Sequence, residues 1–196
     1  MAVPDVCPAG CAGWLSTPLR RLVTDPRRIL RGLVRPGDTV VDLGCGPGFF
    51  TLPLAEMVGE AGRVVAVDLQ SAMLDRVRTR AERQGLLGRI DLHECLADSL
   101  DLATEADFVL AFWMVHEVPD SRHFLSEVRG LLKQKARFLI VEPKGHVDTA
   151  AFARTTEIAV GTGMTPLAPP RVAISRTALL EVAPRRPSQS TQGEHA

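Results

Sequence analysis

The sequence predicts an α/β fold built on a doubly wound, mostly parallel sheet with helices on both faces. Three observations carry this expectation. Short apolar runs rich in β-branched residues alternate with amphipathic stretches of ten or more residues. The run Arg63-Val64-Val65-Ala66-Val67-Asp68 is nearly all apolar, as a strand covered on both faces requires. The run Val40-Val41-Asp42-Leu43 leads straight into a glycine-rich turn and then a helical pattern.

Taken in order, residues 1–24 read as irregular, with prolines at 4, 8 and 18. Asp25-Pro26 reads as an N-cap followed by proline at the first helical position, with Ile29, Leu30, Leu33 and Val34 as one buried stripe. Arg35-Pro36-Gly37 breaks that helix. A strand over 39–43 follows, then a helix starting near 48–50 whose Pro53 falls in the first turn. Gly59 and Gly62 separate it from a strand over 63–68. A helix over 71–84 stops at Gly85, and strands follow over 90–96 and 108–113. Asp120 caps a helix carrying Phe124, Leu125, Val128, Leu131 and Leu132, and a strand over 138–141 ends at Glu142-Pro143. A helix over 149–160 is closed by Gly161, and segments 171–175 and 178–182 are expected to pair as a hairpin, giving one antiparallel edge strand. Residues 1–183 therefore read as one domain, with 1–35 as an N-terminal helical lid and 184–196 as a polar, disordered tail.

Bulk properties narrow the function classes. The chain has 196 residues, 45% of them apolar, and a formal net charge of zero, which points to neither nucleic acid nor an anionic membrane as partner. No apolar run approaches the roughly 20 residues of a membrane span, and no secretory signal is visible, so a cytoplasmic location is expected. The first 37 residues are locally basic, with six arginines against two aspartates. Cys7 and Cys11 lack a third cysteine at 14, where Trp14 stands, and the four cysteines fit no metal-site spacing, so no metal is expected.

The chemistry concentrates at Asp42-Leu43-Gly44-Cys45-Gly46-Pro47-Gly48. Glycine allows positive φ and close approach of a ligand to backbone N–H groups at a helix start. A dinucleotide fingerprint would need glycine at 49, where Phe49 stands. Ligands of such sheets lie beyond the carboxyl ends of the strands. The candidates at those ends are Asp42, Asp68, Asp98, the segment 113–116 and Glu142. Asp68, 20 residues after Gly48, suits a ribose diol.

The acid-x-G-x-G-x-G turn resembles the first motif of the class I methyltransferases that use S-adenosylmethionine (SAM). Residues 64–70 look like that family's second motif, and Ala97-Asp98-Ser99 like its third. Leu131-Leu132-Lys133-Gln134-Lys135-Ala136-Arg137-Phe138 is similar to a late turn in which the family has Pro-Gly-Gly where this chain has Gln134-Lys135-Ala136. Phe112-Trp113-Met114-Val115-His116-Glu117-Val118-Pro119 resembles an F-x-M-x-H-E-V-P segment of small-molecule members.

The resemblance implies a seven-stranded sheet in the order 3-2-1-4-5-7-6. It implies cofactor contacts from Asp42, Gly44, Cys45, Gly46, Gly48, Asp68, Leu69, Met73, Asp98, Ser99 and Met114, with Asp98 near the adenine amino group. His116, paired with Glu117, and His146 are the candidate general bases, needed only if the acceptor loses a proton as it attacks. The function expected is transfer of the methyl group of SAM to a small-molecule acceptor, with the N-terminal segment covering the substrate. The alternatives are a non-catalytic SAM-binding sensor or partner subunit and, more remotely, a nicotinamide dehydrogenase. Quinone precursors, other small organics and arsenite all remain open as acceptors, and the oligomeric state is not legible.

Overall fold

A computed structural model describes residues 24–183. The expectations for the lid before residue 24 and for the tail 184–196 lie outside the described residues. Seven strands form one sheet: β1 (Thr39–Leu43), β2 (Arg63–Asp68), β3 (Ile90–Glu94), β4 (Ala106–Phe112), β5 (Leu132–Pro143), β6 (Met164–Leu167) and β7 (Ser175–Val182). Five helices accompany them: α1 (Pro26–Leu30), α2 (Thr51–Val58), α3 (Ser71–Arg83), α4 (Ser121–Leu131) and α5 (Thr149–Gly161). The strand order is β3-β2-β1-β4-β5-β7-β6, as the resemblance implies. The first five strands in that order are mutually parallel. β7 runs antiparallel to both β5 and β6, so the reversed strand lies one position in from the edge.

Alternation along each central strand divides the core into two layers. Val40, Val64, Ala66, Phe108, Leu110 and Leu139 pack with α1, α2 and α3. Val41, Val65, Val67, Val109, Phe138 and Ile140 pack with α4 and Ala159 of α5. A side-chain period of two sends neighbouring residues to opposite faces, and both faces are covered, so the strands read as continuous apolar runs. The caps behave as expected. Asp25 Oδ1 accepts from Arg27 N–H at 3.0 Å, and Asp120 Oδ1 accepts from Arg122 and His123 N–H at 2.9 and 3.0 Å. Arg27 also pairs with Glu56, tying α1 to α2.

Three local expectations are corrected. The first strand of the terminal hairpin is Met164–Leu167 rather than 171–175. Pro166 disguises it in the sequence, yet an edge strand tolerates a missing N–H donor. Pro169-Pro170 and the left-handed Ile174 (φ 53°) keep the following segment out of the sheet. Helix α1 closes at Leu30, because Leu33 and Val34 N–H both turn back onto the Leu30 carbonyl, although the expected apolar stripe is buried. β5 begins at Leu132 without a loop after α4. Its register slips between Ala106 and Phe108, and Lys135 takes φ 62°, a conformation that the family's glycines would adopt without cost.

Two glycines give a paired stability test. A Cβ on Gly62 would sit 2.5 Å from Val58 Cβ and 2.8 Å from the Asp38 carbonyl oxygen, whereas one on Gly130 of α4 meets nothing within 4 Å. Gly62→Ala is expected to lower stability in urea unfolding by about 2 kcal/mol through overpacking. Gly130→Ala is expected to raise it by about 0.5 kcal/mol through helix propensity.

Candidate active site

The glycine turn is held by backbone geometry and two carboxylates. Gly44, Gly46 and Gly48 all take positive φ, at 63°, 52° and 83°. Gly44 is also sterically required, since a Cβ there would lie 2.9 Å from Met114 Cβ and Cγ. Cys45 N–H donates to the Val67 carbonyl at 2.9 Å, tying the turn to β2. Asp68 closes it: Oδ2 accepts from Gly46 N–H at 2.8 Å and Oδ1 from Gln70 N–H at 2.9 Å. The Leu69 N–H also interacts with this carboxylate, whose two oxygens together offer about four acceptor positions. Asp42, buried beneath the turn, accepts from the Thr51 hydroxyl at 2.6 Å.

Burial pushes the Asp42 carboxyl from 3.8 up to about 7, partly offset by the Thr51 hydrogen bond and reinforced by the charge of Asp68. Burial also raises Asp68, against the pull of its backbone hydrogen bonds. Both thiols at the site are held protonated, Cys95 pushed up to about 11 and Cys45 well above the usual thiol range, chiefly by burial. Neither is primed as a thiolate nucleophile.

A cavity opens above this turn at the carboxyl ends of β1, β2, β3 and β4. Its wall includes Asp42, Gly44, Cys45, Gly46, Asp68, Leu69, Met73, Asp98, Ser99 and Met114. Ten of the eleven residues expected to contact a cofactor are thus brought together. Gly48 stands apart: its backbone turns toward α3, where a Cβ would lie 3.2 Å from Val77 Cγ2. Its role in the fold is to let α3 close on the turn.

The charge on the wall is one-sided. Among the described residues lining the cavity, Asp42, Asp68, Asp98, Glu117, Asp120 and Glu127 are acidic, and none is Lys, Arg or His. The same wall carries a row of aromatic rings that the sequence reading did not assemble. Phe49 and Phe50 stand 5.3 Å apart, Phe50 and Phe112 4.3 Å, and Phe112 and Trp113 5.2 Å, and all four line the cavity. Trp113 is held in place unusually firmly. It adopts φ 61°, its N–H donates to the Val141 carbonyl at 2.7 Å, and its Nε1–H donates to Ser175 Oγ at 3.0 Å. A bulky residue in the left-handed region stores strain that its surroundings must hold, and such strain gathers at functional sites.

The two candidate bases form a separate cluster outside the cavity wall. His116 Nδ1 lies 2.7 Å from Glu142 Oε2, and His116 backbone N–H donates to Glu142 Oε1 at 3.0 Å. The His146 ring stands 6.0 Å from that of His116. The ring's carboxylate partner is Glu142 of β5 rather than the adjacent Glu117. Glu142 is only 2% exposed, and its hydrogen bond raises the His116 pKa above the usual value against the opposing effect of burial. The 3-10 turn Val115–Glu117 swings the His116 ring back over β5, a contact between strands that no local pattern reveals. No group of three or more His, Cys, Asp or Glu among the described residues is arranged to hold a metal ion.

Comparison with known proteins agrees with this geometry. Residues 40–135 match a family model described as a methyltransferase domain. Over 110 residues the chain is 31% identical to the ubiquinone/menaquinone biosynthesis C-methyltransferase UbiE of Klebsiella pneumoniae, covering 56% of this chain and 44% of that protein. It is 33% identical to the demethylmenaquinone methyltransferase of Lactobacillus johnsonii, covering 56% and 45%. The chain thus matches less than half the length of these curated relatives. A SAM-dependent methyltransferase from Aquifex aeolicus superposes with a TM-score of 0.81 at 23% identity, covering 91% of this chain and all of that one. The methyltransferase-domain match lies across the glycine turn and the strands that build the cavity, and in sequence and fold the chain is similar to class I SAM-dependent methyltransferases.

Proposed function

We propose that this protein binds SAM in the acid-lined cavity and transfers its methyl group to a small aromatic acceptor of quinol type. The observation carrying the cofactor half is the one-sided wall: six carboxyl groups and no cationic side chain among the described lining residues suit a ligand with net positive charge. SAM supplies a methyl group on a cationic sulfonium, which departs as a neutral thioether and needs no acid. In this reading Asp68 receives the ribose hydroxyls on its remaining lone pairs, Asp98 and Leu69 flank the adenine, and Met114 and Cys45 border the sulfonium. The protein then acts chiefly by positioning the acceptor in line and excluding water.

The acceptor half rests on the aromatic row and on what the relatives' names say they act in or on. A planar, uncharged ring stacks on Phe112 and Trp113 without requiring a cationic clamp. Carbon methylation of a hydroquinone requires loss of a hydroxyl proton, because the phenolate form makes the ring carbon nucleophilic. His116 is the proposed base, with His146 beside it. With Nδ1–H donated to Glu142, the tautomer leaves the Nε2 lone pair open to take the proton. SAH production from SAM and a reduced naphthoquinone lacking its ring methyl tests the whole reading. Tight SAM binding without SAH from that acceptor or from a small-molecule extract would instead support a sensor or partner subunit.

Two pH experiments test the separate halves. Between 3.8 and about 7 the folded chain retains the Asp42 proton that the unfolded chain has lost. That contribution to stability is fully present below 3.8 and is lost as pH rises through 7. A cation bound beside Asp42 favours the carboxylate, so calorimetry is expected to show SAM affinity rising roughly tenfold from pH 6 to pH 8, with Asp42→Asn nearly flat. A flat wild-type profile would remove Asp42 from contact with the cation. For the base, the neutral imidazole is the active form, so turnover falls as pH drops through the His116 pKa, which Glu142 raises. Glu142→Gln is expected to move that acid limb to lower pH, and His116→Ala to reduce turnover by about 10²-fold with SAH binding intact. Unchanged turnover in both His116→Ala and His146→Ala would exclude a general base from the reaction.

A further inference from the structure

We infer that Glu127 of α4 is a positioning residue for cofactor binding: its carboxylate latches the loop after β3 into the shape of the cavity's adenine end. Residues 95–100 form that part of the wall and contain no helix or strand of their own. Their order comes from polar contacts. The Ser99 hydroxyl donates to Glu127 Oε1 at 2.7 Å, and Leu100 N–H is shared between Oε1 and Oε2 at 3.2 and 3.1 Å. Ser99 Oγ in turn accepts from Asp101 N–H at 3.1 Å, and Asp101 takes φ 43° to allow it. The Ser99 carbonyl accepts from Leu96 N–H at 2.9 Å, and His93 Nε2 lies 2.8 Å from the Leu100 carbonyl oxygen.

One carboxylate therefore receives three contacts from two consecutive loop residues, and the Ser99 oxygen relays its hold to a third. Charge-assisted bonds of this kind are about twice as strong as neutral ones. Without them the loop would keep the Leu96, Asp101 and His93 contacts, the Cys95 N–H bond to the Asp68 carbonyl and the buried Leu100 side chain, and the cofactor would have to order the stretch between these anchors on binding. That ordering entropy would be charged against affinity. The latch also refines the expectation for Ser99. Its single O–H donor is engaged by Glu127, so Ser99 shapes the pocket rather than donating that hydrogen to the cofactor. Glu127 itself borders the cavity on the flank of the α4 apolar stripe formed by Phe124, Val128 and Leu131.

The inference rests on the SAM-binding reading, and SAH separates the two. Calorimetry on the full chain is expected to give a dissociation constant for SAH about tenfold higher in Glu127→Ala than in wild type, with Glu127→Gln closer to wild type because one acceptor oxygen remains. Adenosine, which lacks the amino-acid half, should lose affinity by the same factor as SAH, whereas general loosening of the fold would lower the melting temperature as well. Wild-type affinity for SAH in Glu127→Ala overturns the latch. So does a loss confined to SAH with adenosine unaffected. If Glu127→Ala does not fold, Ser99→Ala carries the test, with an expected rise of two- to threefold for both ligands and none as the refuting result. No SAH binding by the wild-type chain overturns the cofactor reading itself.

Discussion

The site depends on keeping two carboxylates, Asp42 and Asp68, at the ends of adjacent parallel strands where water is scarce. Their placement follows from the β1–β2 register, which sets Leu43 beside Val67 immediately before the turn. An uncompensated charge there would be costly, and the structure answers with local donors: Thr51 for Asp42, and the Gly46 and Gln70 amides for Asp68. The same donors shape the turn. Gly46 can offer its N–H to Asp68 because the chain adopts positive φ at that point, and Gly44 leaves the space that Met114 fills. Fold, turn and electrostatics are therefore one arrangement, which is why a short stretch of sequence announces it.

A third buried carboxylate, Glu142, organises the other side of the sheet's carboxyl edge. It binds both the backbone and the ring of His116, and so fixes the geometry of the segment after β4 as well as the imidazole tautomer. Trp113, three residues earlier, is fixed by the Val141 carbonyl and by Ser175 from β7. The strained tryptophan backbone and the histidine clamp support each other, since both hold the β4 exit against β5. Loss of either would free the aromatic row that faces the cavity.

The glycine turn and the residues grouped around its cavity were legible because they are written in local patterns. An acid, alternating glycines and a second acid at a fixed separation specify a backbone turn and its partners with little help from distant residues. The apolar strands and the caps at Asp25 and Asp120 were readable on the same grounds, whereas the strand order came from the family resemblance. What the sequence hid came from contacts across the chain. Glu142 reaches 26 residues back to His116, Glu127 reaches 28 residues back to Ser99, and Ser175 reaches 62 residues back to Trp113. Glu117, adjacent to His116, looked like its partner only because sequence proximity is the one distance a sequence shows. β6 was missed for a different reason: Pro166 breaks a strand pattern, but an edge strand has one side on which the missing N–H costs nothing.

The polar contacts divide the site into two separate groups. In the proposed function Asp42, Asp68 and the Glu127 latch all serve cofactor binding, through hydrogen bonds formed without a ligand present. Preorganisation of this kind lowers the ordering cost at the moment of binding. His116 and Glu142 stand beyond the cavity wall, past Trp113, where they do not compete for the cofactor's hydrogen bonds. Where the acceptor must lose a proton, the proposed base benefits from that separation. A neutral base placed among six carboxyl groups would be held protonated by their combined charge, and so could not accept a proton at neutral pH. With His116 outside the acidic lining and one buried carboxylate to orient its ring, the proposed base keeps an accepting Nε2 while the acidic wall remains free to hold a cation.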